Sequence, residues 1–305
     1  MIDFSEVAVQ VDGYDLEGRS TSTAILRGIT ATLAEHRVAV IGANGSGKST
    51  LLKLVNGLMK VSSGRVLVDG RDPARQAREV RRHVGHVFTD PGAQLIMATP
   101  LEEVELSLRS SVPRREERRE RALAILETHG LARLANRSVH ALSGGERQLV
   151  SLASVLAVDP TIIIADEPTT LLDLSNRILL SHAFDELEQQ LVVSTHDLEL
   201  AARMDRVLLI DHGRLIDDGA PDEVIARYRA MMSERAEASG EAGLPARDEG
   251  TGTKGAAARV GAPGQPGTGG TGGQMSPREP DHAGAGPTPN AAAVLASDPG
   301  ARDDR

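Results

Sequence analysis

The sequence predicts an α/β fold with a parallel sheet at its core. Aliphatic runs at Val38–Ile41, Thr161–Ile164 and Leu191–Val193 are typical of strands that are buried on both faces. A glycine-rich loop and then a helix-forming run, Thr50–Leu58, follow the first of them directly. The order of strand, loop and helix is the context that a phosphate-binding loop requires in an α/β protein.

The composition limits the chemistry of the chain. It has 305 residues, no Cys and a formal net charge of −9. Disulfides, zinc–thiolate sites and a catalytic Cys are therefore excluded, and the acidic balance argues against a general affinity for nucleic acid. Residues 1–11 lack the layout of a signal peptide, and the longest apolar stretch, Leu149–Val158, is about half a bilayer span. We therefore expect a cytoplasmic chain that reaches a membrane only through a partner.

The stretch GANGSGKST fills the pattern G-x-x-x-x-G-K-[ST]. Its glycines allow the backbone to bend around an anion so that successive N–H groups point inward, and the following helix adds a partial positive charge. Lys48 is expected to reach the β- and γ-phosphates of a nucleotide, and the Ser49 hydroxyl to bind Mg²⁺. The residues predicted to hold the nucleotide are Gly42, Ala43, Asn44, Gly45, Ser46, Gly47, Lys48, Ser49 and Thr50.

Short strands are predicted on both sides of this loop. Alternating or β-branched residues favour strands at Glu6–Val11, Ile25–Leu33, Ser63–Gly70 and Val84–Phe88. The last of these leads into a loop, Thr89–Gln94.

A charge-laced run, Leu101–Leu134, predicts a small helical subdomain over about residues 95–150. Its Glu and Arg residues recur at helical spacing, which favours pairing on a solvated helix face over a nucleic-acid patch. Further along, Arg206–Asp211 and Gly213–Asp218 predict a closing hairpin.

The composition changes near Ala236. From there to Arg305, Gly, Ala, Pro, Thr and acidic residues dominate, and such a segment cannot bury enough apolar surface to offset its ordering entropy. We therefore expect one domain over residues 1–235 and a disordered tail over residues 236–305, with a linker to a further domain as the alternative.

Acidic residues end one of the aliphatic strands, where open α/β sheets bind their ligands. Asp166 is expected to hold Mg²⁺ and Glu167 to polarise the attacking water, because adjacent carboxylates project to different sides. His196 follows another strand and could contact the γ-phosphate or hold that water. His83 and His86 have metal-like spacing but no third ligand nearby, so we expect surface residues there.

A second anion site is predicted at Ser143, Gly144 and Gly145, which open a helix-forming run. The segments LSGGE, IIIADEP, TTLLD and STHD then follow the phosphate loop in the order found in ATP-binding-cassette (ABC) ATPases. The sequence resembles that family over nearly all of its ordered part. The resemblance implies a P-loop NTPase fold with a RecA-like parallel core, an antiparallel β subdomain, a helical signature subdomain and a disordered tail.

The same resemblance implies a dimer of two ATPase subunits, identical or closely related, arranged head to tail with two ATP at the interface. Each signature would complete the site of the other subunit, with Leu172 and Asp173 at the seam. His196 matches the switch histidine of the family.

Two positions depart from the family pattern. Thr89 stands where the family usually has a glutamine that contacts Mg²⁺ and links the site to the membrane partner. We expect Thr89 to contact the metal in its place, although its side chain is shorter and Gln94 lies five residues further on. The aromatic residue that stacks on adenine is also displaced: Val11 lies near the usual place, and Tyr14 is the nearest candidate.

The stretch DPGAQLIMATPLEEVELSL, residues 90–108, resembles the ATPases of energy-coupling-factor importers for cobalt, nickel and vitamins. VFTDPGAQLIM and ADEPTTLLDLSNR are most similar to the biotin-uptake ATPases. This implies an energy-coupling (T) protein and a substrate-binding (S) protein as partners at the cytoplasmic face of the membrane. Leu95, Ile96 and Met97 either form a groove for a coupling helix or pack in the helical core. A cobalt, nickel or other vitamin importer and a non-transport ABC ATPase remain alternatives.

Overall fold

The computed structural model describes residues 1–14 and 18–241. The side chains of Tyr14 and of residues 239–241 lie outside the described set, as do residues 15–17 and 242–305. Most of the predicted tail therefore falls outside the described residues.

The described residues form nine strands in two sheets. The strands are β1 (Ile2–Tyr14), β2 (Ser20–Leu33), β3 (Arg37–Ile41), β4 (Ser63–Val68), β5 (Val84–Val87), β6 (Ile162–Asp166), β7 (Gln190–Ser194), β8 (Arg206–Asp211) and β9 (Arg214–Gly219). The central sheet has the order β5-β6-β7-β3-β8-β9 and is parallel except for the antiparallel pair β8–β9. The second sheet, β2-β1-β4, is antiparallel. The parallel core and the antiparallel β subdomain expected from the sequence are thus confirmed.

Nine α-helices connect and cover these strands in the described part of the chain. They are α1 (Lys48–Val55), α2 (Ala77–His83), α3 (Pro91–Gln94), α4 (Pro100–Ser107), α5 (Arg115–Thr128), α6 (Gly144–Leu156), α7 (Leu174–Asp185), α8 (Leu198–Ala201) and α9 (Pro221–Glu241). Within residues 1–14 and 18–241, none of these helices is long and apolar enough to cross a bilayer. Helix α9 continues past the predicted domain end at Arg235.

The parallel strands are aliphatic throughout because both faces of the sheet are covered. On β3, Val38 and Val40 pack towards α1 and the antiparallel sheet, whereas Ala39 and Ile41 pack towards α6, α7 and α9. The same alternation holds on β6. A strand buried on both sides has no polar face, which explains why these runs do not alternate.

The antiparallel strands extend beyond the predicted segments. Strand β1 pairs with β2 from Ile2 opposite Leu33 to Tyr14 opposite Ser20. The extra residues at 20–24 are exposed or half-exposed, so their polar side chains do not produce the apolar alternation that marks a strand in sequence. These residues are held in the strand by backbone pairing with β1.

The helical segment folds as separate helices instead of one continuous run. A 3₁₀ turn at Leu108–Ser110 and Pro113 separate α4 from α5, because Pro lacks the N–H that a helix interior needs. The described ion pair of α5 joins Arg119 to Glu105 of α4 at 3.4 Å. The charged face therefore contributes to packing between the two helices.

A buried carboxylate holds the segment between α3 and α4. Glu103 is 5% exposed, and its Oε2 accepts hydrogen bonds from the backbone N–H groups of Ile96 and Met97, both at 2.8 Å. Leu95 packs in the core of the helical subdomain, whereas the Ile96 side chain is 78% exposed. Leu95 therefore has the core-packing role, Met97 is half-buried, and the coupling-helix groove stays a prediction.

Candidate active site

The phosphate loop connects β3 to α1 in a conformation that only glycine accommodates easily. Gly42 has φ 146°, and a Cβ there would collide with the carbonyl oxygen of Ile210 on β8. Gly47 has φ 109° and precedes the first turn of α1, and a Cβ there would lie 2.6 Å from Cδ2 of Leu26. The loop is thus pressed against its neighbours, and the free N–H groups at the start of α1 face an anion-binding position.

Lys48 lies back over this loop. Its ammonium donates to the carbonyl oxygens of Gly42 at 2.9 Å and Ala43 at 3.3 Å, and Oε1 of Glu167 lies 3.3 Å away. The side chain is only 5% exposed. A buried ammonium at a helix N-terminus gives the loop a concentrated positive charge, which suits the phosphates of a nucleotide.

Asp166 ends β6 and lies beside α1. Its Oδ1 accepts hydrogen bonds from the hydroxyls of Ser49 at 2.7 Å and Ser194 at 2.6 Å. The two hydroxyls and the carboxylate form a cluster of oxygen donors, which is the ligand type that Mg²⁺ prefers. In the described ranges no group of three or more His, Cys, Asp or Glu residues could hold a metal.

Glu167 and His196 lie on adjacent strand ends and contact each other. Oε2 of Glu167 lies 2.6 Å from Nδ1 of His196 and accepts from its backbone N–H at 3.2 Å. Glu167 has φ 48°, a left-handed conformation that is uncommon for a residue with a side chain. Its carboxylate therefore lies between the ammonium of Lys48 and the imidazole of His196, where it can accept a proton from a water molecule.

Thr89 reaches the same strand end from the other side. Its hydroxyl donates to the carbonyl oxygen of Asp166 at 2.8 Å. Gln94, at the end of α3, accepts from the backbone N–H of Phe88 at 3.0 Å. Metal contact by Thr89 stays a prediction, because the described bond uses its proton and leaves its lone pairs free. The adenine contact predicted for Tyr14 concerns a side chain outside the described residues.

The second anion site begins α6 with a capping box. The Ser143 hydroxyl accepts from the N–H of Glu146 at 3.1 Å, and the Glu146 carboxylate accepts from the N–H of Ser143 at 3.0 Å. Burial alone would raise the pKa of Glu146, but the Ser143 N–H and the nearby Arg133 guanidinium, 3.1 Å away, together lower it. Because the Ser143 hydroxyl accepts this bond, its own proton is available to an anion.

The structure brings most predicted site residues together but keeps this second site apart. Lys48, Ser49, Asp166, Glu167 and His196 form one connected set of contacts. In the described part of the chain, no hydrogen bond joins residues 143–145 to the phosphate loop. Within the described residues, the two predicted anion sites are therefore not joined by hydrogen bonds.

Sequence reasoning missed Ser194, although it begins the quoted segment STHD. The side chain is fully buried, and its Oγ accepts from the Glu167 N–H at 3.2 Å while donating to Asp166. The only signal in the sequence is a polar residue at the end of an aliphatic strand, two residues before His196.

The expectation that His86 is a surface residue is wrong. His86 lies half-buried on β5, with its ring 4.1 Å from that of Phe88 between centroids and tilted by 39°, and its Nδ1 lies 2.9 Å from Nδ2 of Asn56. Burial lowers the pKa of His86 to about 4, and the carboxylate of Asp166 only partly offsets this. Because Asn56 donates to Nδ1, the ring carries its proton on Nε2, which is buried without a described partner.

The chain is similar in sequence to several known proteins. The family profile described as ABC transporter matches residues 26–170. A putative ABC transporter ATP-binding protein of Bartonella henselae is 44% identical over 209 residues, which cover 68% of this chain and 92% of that protein. The biotin transport ATP-binding protein BioM of Rhizobium etli is 43% identical over 208 residues, with the same coverage of 68% and 92%.

More distant relatives extend the likeness. An energy-coupling factor transporter ATP-binding protein of Ligilactobacillus salivarius is 34% identical over 231 residues, covering 74% of this chain and 82% of that protein. A solved dimeric ATP-binding cassette in a post-hydrolysis state with ADP and Pi superposes with a TM-score of 0.62 at 31% identity, covering 72% of this chain and 99% of that chain. The cbiO1 protein of Clostridium perfringens, part of the cbiONQ transporter complex, gives 0.63 at 31% identity, covering 76% and 93%.

Proposed function

Because the chain belongs to the family of ABC transporter ATP-binding proteins, we propose that it is the ATPase subunit of a biotin importer of the energy-coupling-factor type. ATP hydrolysis with Mg²⁺, coupled to transport, is the activity of this family. The observation that carries the proposal is the 43% sequence identity to a biotin transport ATP-binding protein over 92% of its length. No residue of this chain is proposed to contact the transported solute.

The proposed roles of the site residues follow from their contacts. Lys48 and the backbone N–H groups of the phosphate loop bind the β- and γ-phosphates. Ser49 and Asp166 would hold Mg²⁺, which would supply positive charge to the phosphates. Glu167 orients the attacking water and accepts its proton, and His196 holds the Glu167 carboxylate in place.

A dimer would give the second predicted anion site a phosphate loop to act on, since within the described residues no hydrogen bond joins it to the loop of its own chain. ABC cassettes dimerise and work with membrane components. We propose that Ser143, Gly144 and Gly145 of one subunit complete the phosphate site of a second, identical or closely related subunit. An ATP bound between the two surfaces would favour the closed dimer by its extra contacts there, and hydrolysis would remove that preference.

The membrane partners would be an energy-coupling (T) protein and a substrate-binding (S) protein at the cytoplasmic face. The exposed Ile96, fixed by the bonds from residues 96 and 97 to Glu103, supports a docking role for this segment. We propose that the ATPase domain covers about residues 1–235 and that residues 236–305 are a tail outside it.

A cobalt, nickel or other vitamin importer is the second candidate. The names of cbiO1 and of the energy-coupling factor protein, to which the chain is also similar, do not mention biotin.

Copurification from the native membrane tests the solute and the partners. The chain would be tagged, the host membranes solubilised in mild detergent, and the copurifying proteins and small molecules identified by mass spectrometry. Two integral membrane proteins with bound biotin are expected. A different bound solute would contradict biotin only, whereas recovery of soluble partners alone would contradict the transport role.

Two variants test the chemistry separately from the partners. Glu167→Gln should bind ATP and remain dimeric, with turnover reduced by at least about 100-fold, because loss of a general base costs on the order of 10²–10⁴. Lys48→Ala should lose ATP affinity instead. Nucleotide binding and phosphate release measured on both variants distinguish the two losses, and normal turnover by Glu167→Gln would rule out the proposed base.

A further inference from the structure

We propose that Thr89 and Ser194 are positioning residues that hold the peptide unit between Asp166 and Glu167 from both sides and thereby aim the Glu167 carboxylate. The inference rests on the proposed role of Glu167 as the base. It gives Thr89 a function that does not require contact with the metal.

The bonds to this peptide unit come from the two strands that flank β6. On one side, the Thr89 hydroxyl, just beyond β5, donates to the carbonyl oxygen of Asp166 at 2.8 Å. On the other side, the N–H of Glu167 donates to the carbonyl oxygen of Ser194 at 2.9 Å and to its hydroxyl at 3.2 Å. Both polar groups of one peptide are therefore bonded across the sheet.

Thr89 continues a ladder whose backbone part has ended. The paired residues of β5 and β6 end at Val87 opposite Ala165, one residue before Asp166. The side-chain hydroxyl supplies the bond to the next carbonyl group. On the β7 side the backbone pairing continues, since Asp166 lies opposite Ser194. Thr89 is thus the tether of this peptide on the β5 side.

The conformation of Glu167 makes such a tether necessary. Its φ of 48° is a strained value for a residue with a Cβ, and strained residues persist only where the surroundings hold them. The side chain then meets Lys48 at 3.3 Å and His196 at 2.6 Å, two contacts that depend on the direction in which the residue leaves the strand. A rotation of the peptide would move the carboxylate away from both partners.

Ser194 acts on both acidic residues at once. Its hydroxyl donates to Oδ1 of Asp166 at 2.6 Å while accepting from the backbone of Glu167, and the side chain is fully buried. The same hydroxyl therefore couples the orientation of the metal-binding carboxylate to the backbone of the base. Because Ser194 has two roles, Thr89 offers the cleaner test.

The test compares Thr89→Val, which keeps the shape and removes the hydroxyl, with Thr89→Ser, which keeps the hydroxyl. Thr89→Val should lower kcat about tenfold with KM for ATP unchanged, because displacement of a catalytic group by about 1 Å costs up to on the order of 100-fold. Thr89→Ser should retain most of the activity. Without nucleotide, hydrogen exchange at the amide of Glu167 should be faster in Thr89→Val.

The matched control is Thr161→Val. Thr161 precedes β6, and its hydroxyl donates at 3.3 Å to the carbonyl oxygen of His83, just before β5, at the opposite end of this pair of strands. The backbone N–H of Thr161 donates to the same oxygen at 2.9 Å, so loss of the hydroxyl leaves that carbonyl group bonded. This variant should keep wild-type kcat and wild-type exchange at Glu167. Circular dichroism melts of all the variants confirm that they fold.

Two results would overturn the proposal. One is wild-type kcat and wild-type exchange at Glu167 in Thr89→Val. The other is weaker Mn²⁺ binding in Thr89→Val, measured by electron paramagnetic resonance with ATP present, with kcat restored at saturating metal, since this would make Thr89 a metal ligand.

A different measurement shows whether Glu167 is the base. Normal turnover by Glu167→Gln would refute the base, and the exchange measurement would still decide whether Thr89 holds the peptide. If Glu167 is the base and Thr89 acts by holding its peptide, adding Thr89→Val to Glu167→Gln should cause no further loss of turnover.

Discussion

Lowering the pH from 7.5 to 5 should destabilise the protein by about 2 kcal/mol through His86 alone, since one pH unit between its two pKa values is worth about 1.4 kcal/mol. The ordinary pKa of 6.5 falls to about 4 in the folded protein because the ring is buried. Between these values the unfolded chain binds a proton that the folded chain does not bind. The free energy of unfolding therefore decreases as the pH is lowered from 6.5 to about 4. Below about pH 4, protonation of His86 causes no further decrease.

Urea unfolding at pH 7.5, 6 and 5, compared with His86→Gln, measures this effect. Gln does not titrate and can accept the hydrogen bond from Asn56, so the difference between the two proteins isolates the imidazole. Between pH 7.5 and 5, the free energy of unfolding of the variant should decrease by about 2 kcal/mol less than that of the wild-type protein. Equal slopes for the two proteins, or an NMR titration of His86 near pH 6.5, would refute the reasoning.

Two further predictions concern the loop and the helical subdomain. Gly42→Ala should weaken ATP binding by at least about tenfold, a change of about 1.4 kcal/mol, because the new Cβ collides with the carbonyl oxygen of Ile210. Calorimetric titration measures the affinity. The control is Gly70→Ala, where φ is also positive at 76° but the space around the new Cβ is open. Glu103→Ala should lower the free energy of unfolding by about 1–3 kcal/mol, because it leaves the N–H groups of residues 96–97 without their acceptor. Unchanged ATP affinity in the first variant, or an unchanged thermal midpoint in the second, would contradict the respective argument.

Much of the architecture could be predicted because burial on two faces leaves a plain mark in the sequence. The runs that became β3, β6 and β7 contain few polar residues, so their burial and parallel pairing were both accessible. The contact between Glu167 and His196 agrees with the same logic, since the carboxyl ends of parallel strands meet at one edge.

What escaped prediction depends on contacts between distant residues. His86 is buried by Phe88 and Asn56, and nothing in its spacing from His83 indicates those partners. The bond from Thr89 to the carbonyl oxygen of Asp166 joins residues 77 positions apart and uses a backbone atom that every residue carries. The break between α4 and α5, by contrast, has a local mark in the sequence at Pro113, which the charge pattern of the surrounding residues does not reveal.

The contacts of Lys48 make phosphate binding an exchange and not a simple addition. Its ammonium already has the carbonyl oxygens of Gly42 and Ala43 and the Oε1 atom of Glu167 as neighbours. A phosphate that recruits the ammonium must displace some of these neighbours, so the measured affinity reports the difference between two sets of bonds. Where the displaced neighbour is Oε1 of Glu167, a water molecule can occupy that acceptor. With the roles proposed for Lys48 and Glu167, arrival of the substrate would then also free the base.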